Sequence, residues 1–380
     1  MRTRPLSVLV VAGTRPEAVK LAPVLRRLRR EPSRFRARFL ATGQHRELLD
    51  AMLQDLGLRP DADLRVMRRG QSPGDVLARV IAGVEAVLER ERPDLVLVQG
   101  DTTSVLGAAL AAFHRKVPVG HVEAGLRSHD LSQPYPEEIN RVIVDQLSTL
   151  LFAPTPLARR NLRREGFAPQ KIFTTGNTVV DAVRWAAALP GRFREPALRD
   201  LPKKKFLVTV TLHRRESFGK PLEGVFRGMM RAVDENPELL LVYPVHPNPA
   251  VRSAASRMLK HPRIRLTPPL GYLDFVRLMN LSEAVLTDSG GIQEEAPSLG
   301  KTVLVVREKT ERPEVLGAGR GQLIGVGEKN VQRALGNLPR RASRKQGSNP
   351  FGDGQAADRI VEAILYWAGL RKRRCPDFAT

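Results

Sequence analysis

Short apolar runs recur along this chain and alternate with segments of helical periodicity. In the first half these runs are 6–12, 36–42, 94–99, 117–122, 150–153 and 171–175. In the second half they are 206–211, 239–245, 263–266, 284–287, 302–306 and 321–324. Strands that are apolar on both faces need helices on both faces of their sheet. The pattern therefore predicts an α/β fold with two doubly wound, Rossmann-like sheets.

The length of 380 residues favours two domains, because it exceeds what one small core organises. The polar, Pro-containing stretch 190–205 between the two series is interpreted as a linker or a long surface loop. We predict an N-terminal domain over 1–175 and a second over 176–355. A C-terminal helix at about 356–372 is expected to pack back on the first domain. Ligands of such sheets bind beyond the carboxyl ends of the strands, so two facing domains would enclose them in a cleft.

Cysteine content and hydropathy exclude several classes of protein. The single cysteine, Cys375, rules out an internal disulfide and a Cys-rich zinc module. No apolar run approaches the ~20 residues of a membrane span. The basic start and the run 6–12 imitate a signal peptide, but Thr14-Arg-Pro-Glu17 stands where a small-residue cleavage site belongs. We therefore expect a buried first strand, a cytoplasmic protein and no membrane partner.

The basic balance of the chain raises a non-enzyme alternative, a polyanion-binding protein. Lys and Arg number 62 against 40 Asp and Glu, a formal net charge of +22. Aromatic residues are only 5% of the chain, so base-stacking platforms would be sparse. Basic doublets such as Arg159-Arg160 and Arg340-Arg341 are scattered over the polar sides of predicted helices. We expect solvated helix faces and no nucleic-acid partner, whereas the alternative requires basic residues clustered on one face.

Polar residues follow the predicted strands of the first half. The first strand is followed by Gly13-Thr-Arg-Pro-Glu17, where Arg15 and the N–H groups of a helix start suit an anion. Later strands are followed by Gly43-Gln-His-Arg46 and Gln99-Gly-Asp-Thr-Thr103. Asp101 in the last of these is either the cap of the next helix or a catalytic carboxylate, and its spacing favours neither.

The segment 117–127 and the helix after it add more ionisable residues. His121 and Glu123 share one strand face by the two-residue period. No third ligand at a recognised spacing accompanies this pair, so we expect no metal site. Glu137 and Glu138 open a predicted helix, where the helix dipole favours carboxylates in any case.

The second half repeats the arrangement with different chemistry. Its strand ends carry histidines, arginines and a glycine-rich helix start, namely His213, Arg214, His246, Ser289, Gly290, Gly291, Glu295 and Arg312. Paired glycines let a phosphate approach unpaired backbone N–H groups. Carboxylates from the first half and these groups from the second indicate an acid/base set beside an anion site. The sequence therefore predicts an enzyme that acts on a phosphorylated or nucleotide-linked substrate.

Specific motifs stand in order between residue 13 and about residue 355. They are Gly13-Thr-Arg-Pro-Glu-Ala18, Gly43-Gln-His-Arg-Glu47, Gly100-Asp-Thr-Thr103, Gly120-His-Val-Glu-Ala-Gly-Leu-Arg127, Pro136-Glu-Glu138 with Asn140-Arg141, Thr175-Gly-Asn-Thr178, His213-Arg-Arg-Glu216, Asp288-Ser-Gly-Gly-Ile-Gln-Glu-Glu295, Thr310-Glu-Arg-Pro-Glu314 and Asn349-Pro-Phe-Gly-Asp-Gly-Gln355. Together they resemble the non-hydrolysing UDP-N-acetylglucosamine 2-epimerases. The resemblance covers nearly the whole chain.

This resemblance implies two Rossmann-like domains of the GT-B type, a homodimer, and interconversion of UDP-GlcNAc and UDP-ManNAc. In the family's route, UDP leaves C1 as the C2 proton is removed, which gives 2-acetamidoglucal. UDP then re-adds while C2 is protonated from the other face. That chemistry requires no redox cofactor and no metal. The enzyme alternatives are a hydrolysing 2-epimerase, which releases free ManNAc and UDP, and a GT-B glycosyltransferase.

The resemblance also implies a role for each matching residue. The acid/base carboxylates would be Asp101, Glu123 and Glu137, and His213 would contact the departing diphosphate. The UDP-binding residues would be Arg15, Lys20, Phe275, Ser289, Gly290, Gly291, Glu295 and Arg312, with Phe275 along the uridine and Glu295 on the ribose. In members that bind a second UDP-GlcNAc as activator, the matching positions are Gln44, His45, Glu138, Arg214 and His246. Which carboxylate removes the proton stays unassigned.

Overall fold

The computed structural model describes residues 4–43, 46–68, 70–202, 205–214, 218–310, 312–338 and 348–379. The chain divides into two compact units. Unit 1 comprises Met1–Ala182 and Phe351–Thr380, and unit 2 comprises Val183–Pro350. Each unit holds one parallel sheet with helices between successive strands, so the predicted α/β class is confirmed.

Unit 1 is built on a seven-stranded sheet in which every pairing is parallel. Its strands are β1 Leu6–Ala12, β2 Phe35–Ala41, β3 Ala62–Asp63, β4 Leu95–Gln99, β5 Val119–Val122, β6 Leu150–Ala153 and β7 Ile172–Thr174. Their spatial order is β3-β2-β1-β4-β5-β6-β7. The two-residue β3 was not predicted, because it is too short to show a periodic pattern.

The helices of unit 1 cover both faces of this sheet. They are α1 Arg15–Arg29, α2 Arg46–Asp55, α3 Pro73–Glu91, α4 Thr103–His114, α5 Glu137–Leu147, α6 Pro156–Arg164 and α7 Thr178–Ala188, whose last residues enter unit 2. Helix α6 begins as its sequence predicts, because Thr155 caps it by accepting from Ala158 N at 3.2 Å and Pro156 fills the first position. Every residue of β1, β4, β5 and β6 is buried, which explains why these strands are mainly apolar.

Unit 2 repeats this architecture with six parallel strands. The strands are β8 Phe206–Thr211, β9 Leu239–Pro244, β10 Ile264–Thr267, β11 Ala284–Thr287, β12 Thr302–Val305 and β13 Gly321–Leu323, in the spatial order β10-β9-β8-β11-β12-β13. The helices are α8 Lys220–Glu235, α9 Pro249–Met258, α10 Tyr272–Leu281, α11 Gly290–Glu295, α12 Pro313–Gly317 and α13 Glu328–Gly336.

The stretch 190–205 belongs to unit 2, and the change of unit comes earlier, within α7. Phe193 and Leu198 from this stretch pack in a hydrophobic cluster of unit 2. The buried carboxylate of Asp274 accepts hydrogen bonds from the backbone N–H groups of Arg194 and Glu195, at 2.8 and 2.9 Å. Of the two interpretations offered above, these contacts favour the surface loop over the linker.

The last helix, α14 Ala356–Trp367, packs on unit 1 as predicted. Arg27 of α1 contacts Asp358 at 2.5 Å across the helix pair. Asp181 of α7 accepts from the backbone N–H groups of Ala356 and Ala357, at 3.2 and 2.9 Å. A side chain from another helix therefore caps the N-terminus of α14. Burial raises the pKa of Asp181 to about 6 although those two hydrogen bonds lower it.

Asp181 is therefore expected to make the protein less stable as the pH rises from about 4 to about 6. Its folded pKa exceeds the ordinary value of 3.8, so the native state binds the proton more tightly than the unfolded chain does. The contribution is fully present below pH 4 and is lost above pH 6, with a magnitude of about 3 kcal/mol. Urea unfolding of wild type and Asp181→Asn at pH 4.5 and 7.5 checks this. The variant should lose less stability between the two pH values, and equal losses would contradict the prediction.

Candidate active site

In both sheets the strand order reverses at one point, and several of the sequence motifs follow the strands beside it. In unit 1 the reversal lies between β1 and β4, and in unit 2 it lies between β8 and β11. The crevice outside the carboxyl ends of strands at such a point is the usual ligand site of doubly wound folds. The segments that follow these strands and the strands adjacent to them are therefore the candidate site in each unit.

Glu123 directly follows β5 and is 9% exposed. Lys20 Nζ of α1 donates to both of its carboxylate oxygens, at 2.7 and 2.6 Å. Gln99 at the end of β4 donates to the same carboxylate. The backbone φ of Glu123 is +73°, an unfavourable left-handed conformation for a side chain of this kind. A carboxylate is thus held in a strained loop against one cation and one amide.

Asp101 lies at the neighbouring strand end, after β4. The cap of α4 is Thr102, whose hydroxyl accepts from Val105 N, so Asp101 is not the helix cap. Its carboxylate instead contacts Arg141 of α5 in an ion pair. Its backbone carbonyl accepts from Asn140 Nδ2 at 2.9 Å. Asp101 is half-buried, so its carboxylate is only partly withdrawn from solvent.

The two acidic residues that open α5 differ in their surroundings. Glu137 is half-buried in the first turn. Glu138 is buried, and its carboxylate accepts from the backbone N–H groups of Ser128 and His129 at 3.0 and 3.1 Å. Arg141 contacts it at 3.2 Å, in addition to Asp101. Glu138 therefore ties the preceding loop to α5, whereas its part in an activator site stays a prediction.

Glu17 is a buried carboxylate for which the sequence patterns predicted no role. It accepts from Gly13 N at 2.6 Å and from the hydroxyls of Thr14 and Thr102 at 2.8 Å each. Burial raises its pKa, and the hydrogen bonds from Gly13 and Thr14 oppose that effect. Glu17 therefore joins the loop after β1 to the loop after β4, beside Asp101.

In unit 2, Asp288 organises the predicted diphosphate residues. Its fully buried carboxylate accepts from the backbone N–H groups of His213 and Arg214 at 2.9 Å each. His213 Nδ1 lies 3.4 Å from the second carboxylate oxygen. The rings of His213 and His246 stack with centroids 5.8 Å apart. Two predicted residues from different strand ends are thereby brought together.

Tyr243 supports the same loop from the interior of unit 2. Its hydroxyl donates to the backbone carbonyl of Leu212, next to His213, at 3.0 Å. Burial, with the nearby charge of Asp288 as a second cause, raises the pKa of Tyr243 well above its ordinary value. The hydroxyl therefore remains a donor at any physiological pH.

The glycine-rich turn after β11 leads into α11 as predicted. Ser289 precedes the helix, and Gln293 Nε2 donates to its carbonyl at 3.2 Å. A Cβ atom added at Gly290 would meet no atom of the described residues within 4 Å, so this backbone is open to close approach. Arg312 forms an ion pair with buried Glu294, adjacent to the half-buried Glu295.

The remaining residues predicted to bind UDP or an activator are Arg15, Phe275, Gln44 and His45. Arg15 is exposed at the start of α1, and Phe275 is half-buried on α10. Gln44 and His45 lie outside the described residues. All of these assignments to UDP or to an activator remain predictions.

The pair His121 and Glu123 shows no metal-ligand geometry. Both ring nitrogens of His121 already have partners, Asp145 at 2.6 Å and the Gly100 carbonyl at 2.8 Å. Across the described ranges, no three His, Cys, Asp or Glu side chains form a group suited to a metal ion. Over the same part of the chain, no helix combines the length and apolar character that crossing a membrane requires.

Comparison with known proteins agrees with this geometry. The model of the family described as UDP-N-acetylglucosamine 2-epimerase matches residues 26–365. The UDP-N-acetylglucosamine 2-epimerase of Escherichia coli K12 is 44% identical over 370 residues, which cover 94% of this chain and 98% of that protein. Its counterpart from Bacillus subtilis is 40% identical over 378 residues, covering 98% of each chain.

Solved structures give the same result. The crystal structure of a UDP-GlcNAc 2-epimerase from Neisseria meningitidis bound to UDP-GlcNAc has a TM-score of 0.84 at 38% identity, covering 95% of this chain and all of that one. The structure of a Methanocaldococcus jannaschii UDP-GlcNAc 2-epimerase in complex with UDP-GlcNAc and UDP has a TM-score of 0.75 at 33% identity. This similarity covers 95% of this chain and all of that one. Both similarities extend over the two sheets of this chain, in agreement with the predicted GT-B-like architecture of two parallel sheets with alternating helices. The chain belongs to the UDP-N-acetylglucosamine 2-epimerase family.

Proposed function

We propose that this protein interconverts UDP-GlcNAc and UDP-ManNAc without net hydrolysis, through elimination and re-addition of UDP. In the first step a carboxylate takes the C2 proton, the C–H electron pair forms the C1–C2 double bond, and the C1–O bond breaks to release UDP. In the second step the diphosphate oxygen bonds C1 again while a second carboxylic acid protonates C2 from the opposite face. The substrate is neither oxidised nor reduced overall.

The observation that carries this proposal is the placement of Asp101 and Glu123 at neighbouring strand ends. Strands β4 and β5 pair in parallel, and Gly100 N donates to Val122 O at 3.1 Å, which joins the two segments directly. The two carboxylates contact different cations, Arg141 for Asp101 and Lys20 for Glu123. Two separately supported carboxylates suit a reaction that removes a proton from one face of C2 and returns it to the other.

Support for the departing UDP is proposed to come mainly from unit 2. His213 would contact the diphosphate, and the backbone N–H groups at the start of α11 would donate to it. Arg312 and Glu295 would hold the phosphates and the ribose. The two neighbours described above as complexes with UDP-GlcNAc support the choice of nucleotide sugar.

A regulatory site and a homodimer are part of the same proposal. His246 stacks on His213, so a second UDP-GlcNAc on His246 would lie next to the diphosphate of the substrate. Arg214 shares the anchor of His213 through Asp288, and it offers the cation for that second ligand. The dimer follows from the resemblance to the family.

Incubation of the purified protein with UDP-GlcNAc in D2O tests this mechanism. We expect both epimers, each with deuterium at C2, because the transferred proton exchanges with solvent during the elimination. Time courses by proton NMR should also show UDP and 2-acetamidoglucal as minor species. Accumulation of free ManNAc with stoichiometric UDP would instead assign the hydrolysing reaction. Recovery of unlabelled UDP-GlcNAc alone would contradict the proposal.

A further inference from the structure

We propose that Asp145 is a positioning residue for the epimerisation, which it serves by holding the two backbone segments that carry Asp101 and Glu123. This inference rests on the proposed function, in which Asp101 and Glu123 transfer the C2 proton. Asp145 is proposed to position these two carboxylates without contacting the substrate itself. Asp145 lies on α5 and is fully buried, with no exposed side-chain surface.

The first contact of Asp145 reaches the Asp101 segment through His121. Asp145 Oδ1 lies 2.6 Å from His121 Nδ1, and His121 Nε2 lies 2.8 Å from the carbonyl oxygen of Gly100. The Gly100 peptide leads directly into Asp101. The orientation of that peptide is therefore set by a relay from α5 through a buried imidazole ring.

The second contact reaches the Glu123 segment directly. Asp145 Oδ2 accepts from Gly125 N at 3.1 Å. Glu123 itself has a φ of +73°, and Gly125 has a φ of +83°. Such a loop persists only where its surroundings overdetermine it. The bond from Gly125 to Asp145 supplies one of these constraints from inside the protein.

The buried carboxylate of Asp145 also has a cationic partner, the side chain of Arg127. Asp145 Oδ2 also lies 2.7 Å from Arg127 Nη2, and Arg127 pairs with Glu165 at 2.6 Å. The ring of His121 lies between Asp145 and the Gly100 carbonyl, so both of its nitrogens have hydrogen-bond partners. Asp145 is thus held by a backbone N–H group, an imidazole ring and a guanidinium group, which makes the arrangement a stiff support.

Loss of this support should affect the rate rather than the binding of substrate. Displacing a catalytic group by about 1 Å can cost about 10²-fold in rate. Most residues predicted to bind UDP lie in unit 2, outside the network. We therefore expect Asp145→Asn to lower kcat about 10²-fold and to change KM for UDP-GlcNAc by less than about threefold. A residue of purely structural importance would reduce the folded fraction and leave kcat per folded molecule unchanged.

Asp94→Asn is the matched control for this substitution. Asp94 precedes β4 at the opposite edge of the same sheet, where it accepts from Ser7 N at 2.8 Å and pairs with Arg4 at 3.0 Å. Like Asp145, Asp94 accepts from a backbone N–H group and pairs with an arginine. Unlike Asp145, it lies at the amino ends of the strands. Its loss should lower the unfolding midpoint and leave kcat within twofold of wild type.

A pair of His121 variants decides the matter if Asp145→Asn does not fold. His121→Gln retains a donor for the Gly100 carbonyl, whereas His121→Leu retains none. We expect His121→Leu to lower kcat about 10²-fold relative to wild type. The kcat of His121→Gln should be at least about tenfold higher than that of His121→Leu. Equal kcat values for the two variants would contradict the relay through the ring.

The measurements are initial rates of epimerisation, C2 deuterium incorporation in D2O, UDP binding by calorimetry and the fraction folded by circular dichroism. Folded Asp145→Asn with kcat within threefold of wild type would overturn this inference alone. A loss expressed only in KM would overturn it as well. Wild-type protein that forms no C2-deuterated product would overturn the proposed function, and this inference with it.

Discussion

Glu123→Gln should lower kcat for the epimerisation of UDP-GlcNAc by about 10³-fold, because an amide cannot accept or return the C2 proton. Glutamine keeps the length of the side chain, so Lys20 and Gln99 retain a polar partner at that position. UDP should still bind with a Kd within about threefold of wild type, since most of the predicted nucleotide residues lie in unit 2. Initial rates by NMR and calorimetric titration with UDP check both parts.

Glu89→Gln provides the control for this prediction. Glu89 lies on α3, its side chain is 64% exposed, and it pairs with Arg115 at the surface. The same substitution there removes one negative charge without touching the strand ends, so activity should be unchanged. Folded Glu123→Gln with more than a tenth of wild-type kcat would remove Glu123 from the mechanism.

Gly125→Ala should reduce the free energy of unfolding of unit 1 by about 3 kcal/mol. Gly125 has a φ of +83°, and an added Cβ would lie 2.4 Å from the Ala158 carbonyl oxygen and 2.7 Å from Leu162 Cγ. The left-handed backbone costs about 1 kcal/mol with alanine, and forcing an atom into packed surroundings costs about 1–3 kcal/mol more. Denaturant titration followed by circular dichroism measures the loss.

Gly166→Ala separates these two contributions. Its φ of +86° matches that of Gly125, but an added Cβ would have no neighbour within 4 Å among the described residues. We expect a loss of about 1 kcal/mol there, from the backbone alone. If both substitutions cost the same, the contact with Ala158 carries none of the penalty.

The strands of this fold follow from the sequence because burial on both faces leaves a local signal. β1, β6, β8 and β11 lie at the residues that the apolar runs predicted. The short β3 was missed, because the two residues Ala62 and Asp63 owe their pairing to β2 and not to any pattern of their own. The role of the loop 190–205 was left open for the same reason, since only its contacts with Asp274 and the cluster in unit 2 define it.

The sequence by itself determined the α/β class, the succession of strands and the positions at strand ends where the chemistry is expected, because hydrophobic period and turn residues are local properties. Only the tertiary structure decided which partners those residues have. Lys20 and Glu123 meet from positions 103 residues apart, and Asp288 anchors His213 across 75. The spacing of His121 and Asp145 along the sequence gives no sign that these two residues are in contact. Pairing at such separations depends on strand order, which brings distant segments to one edge of a sheet.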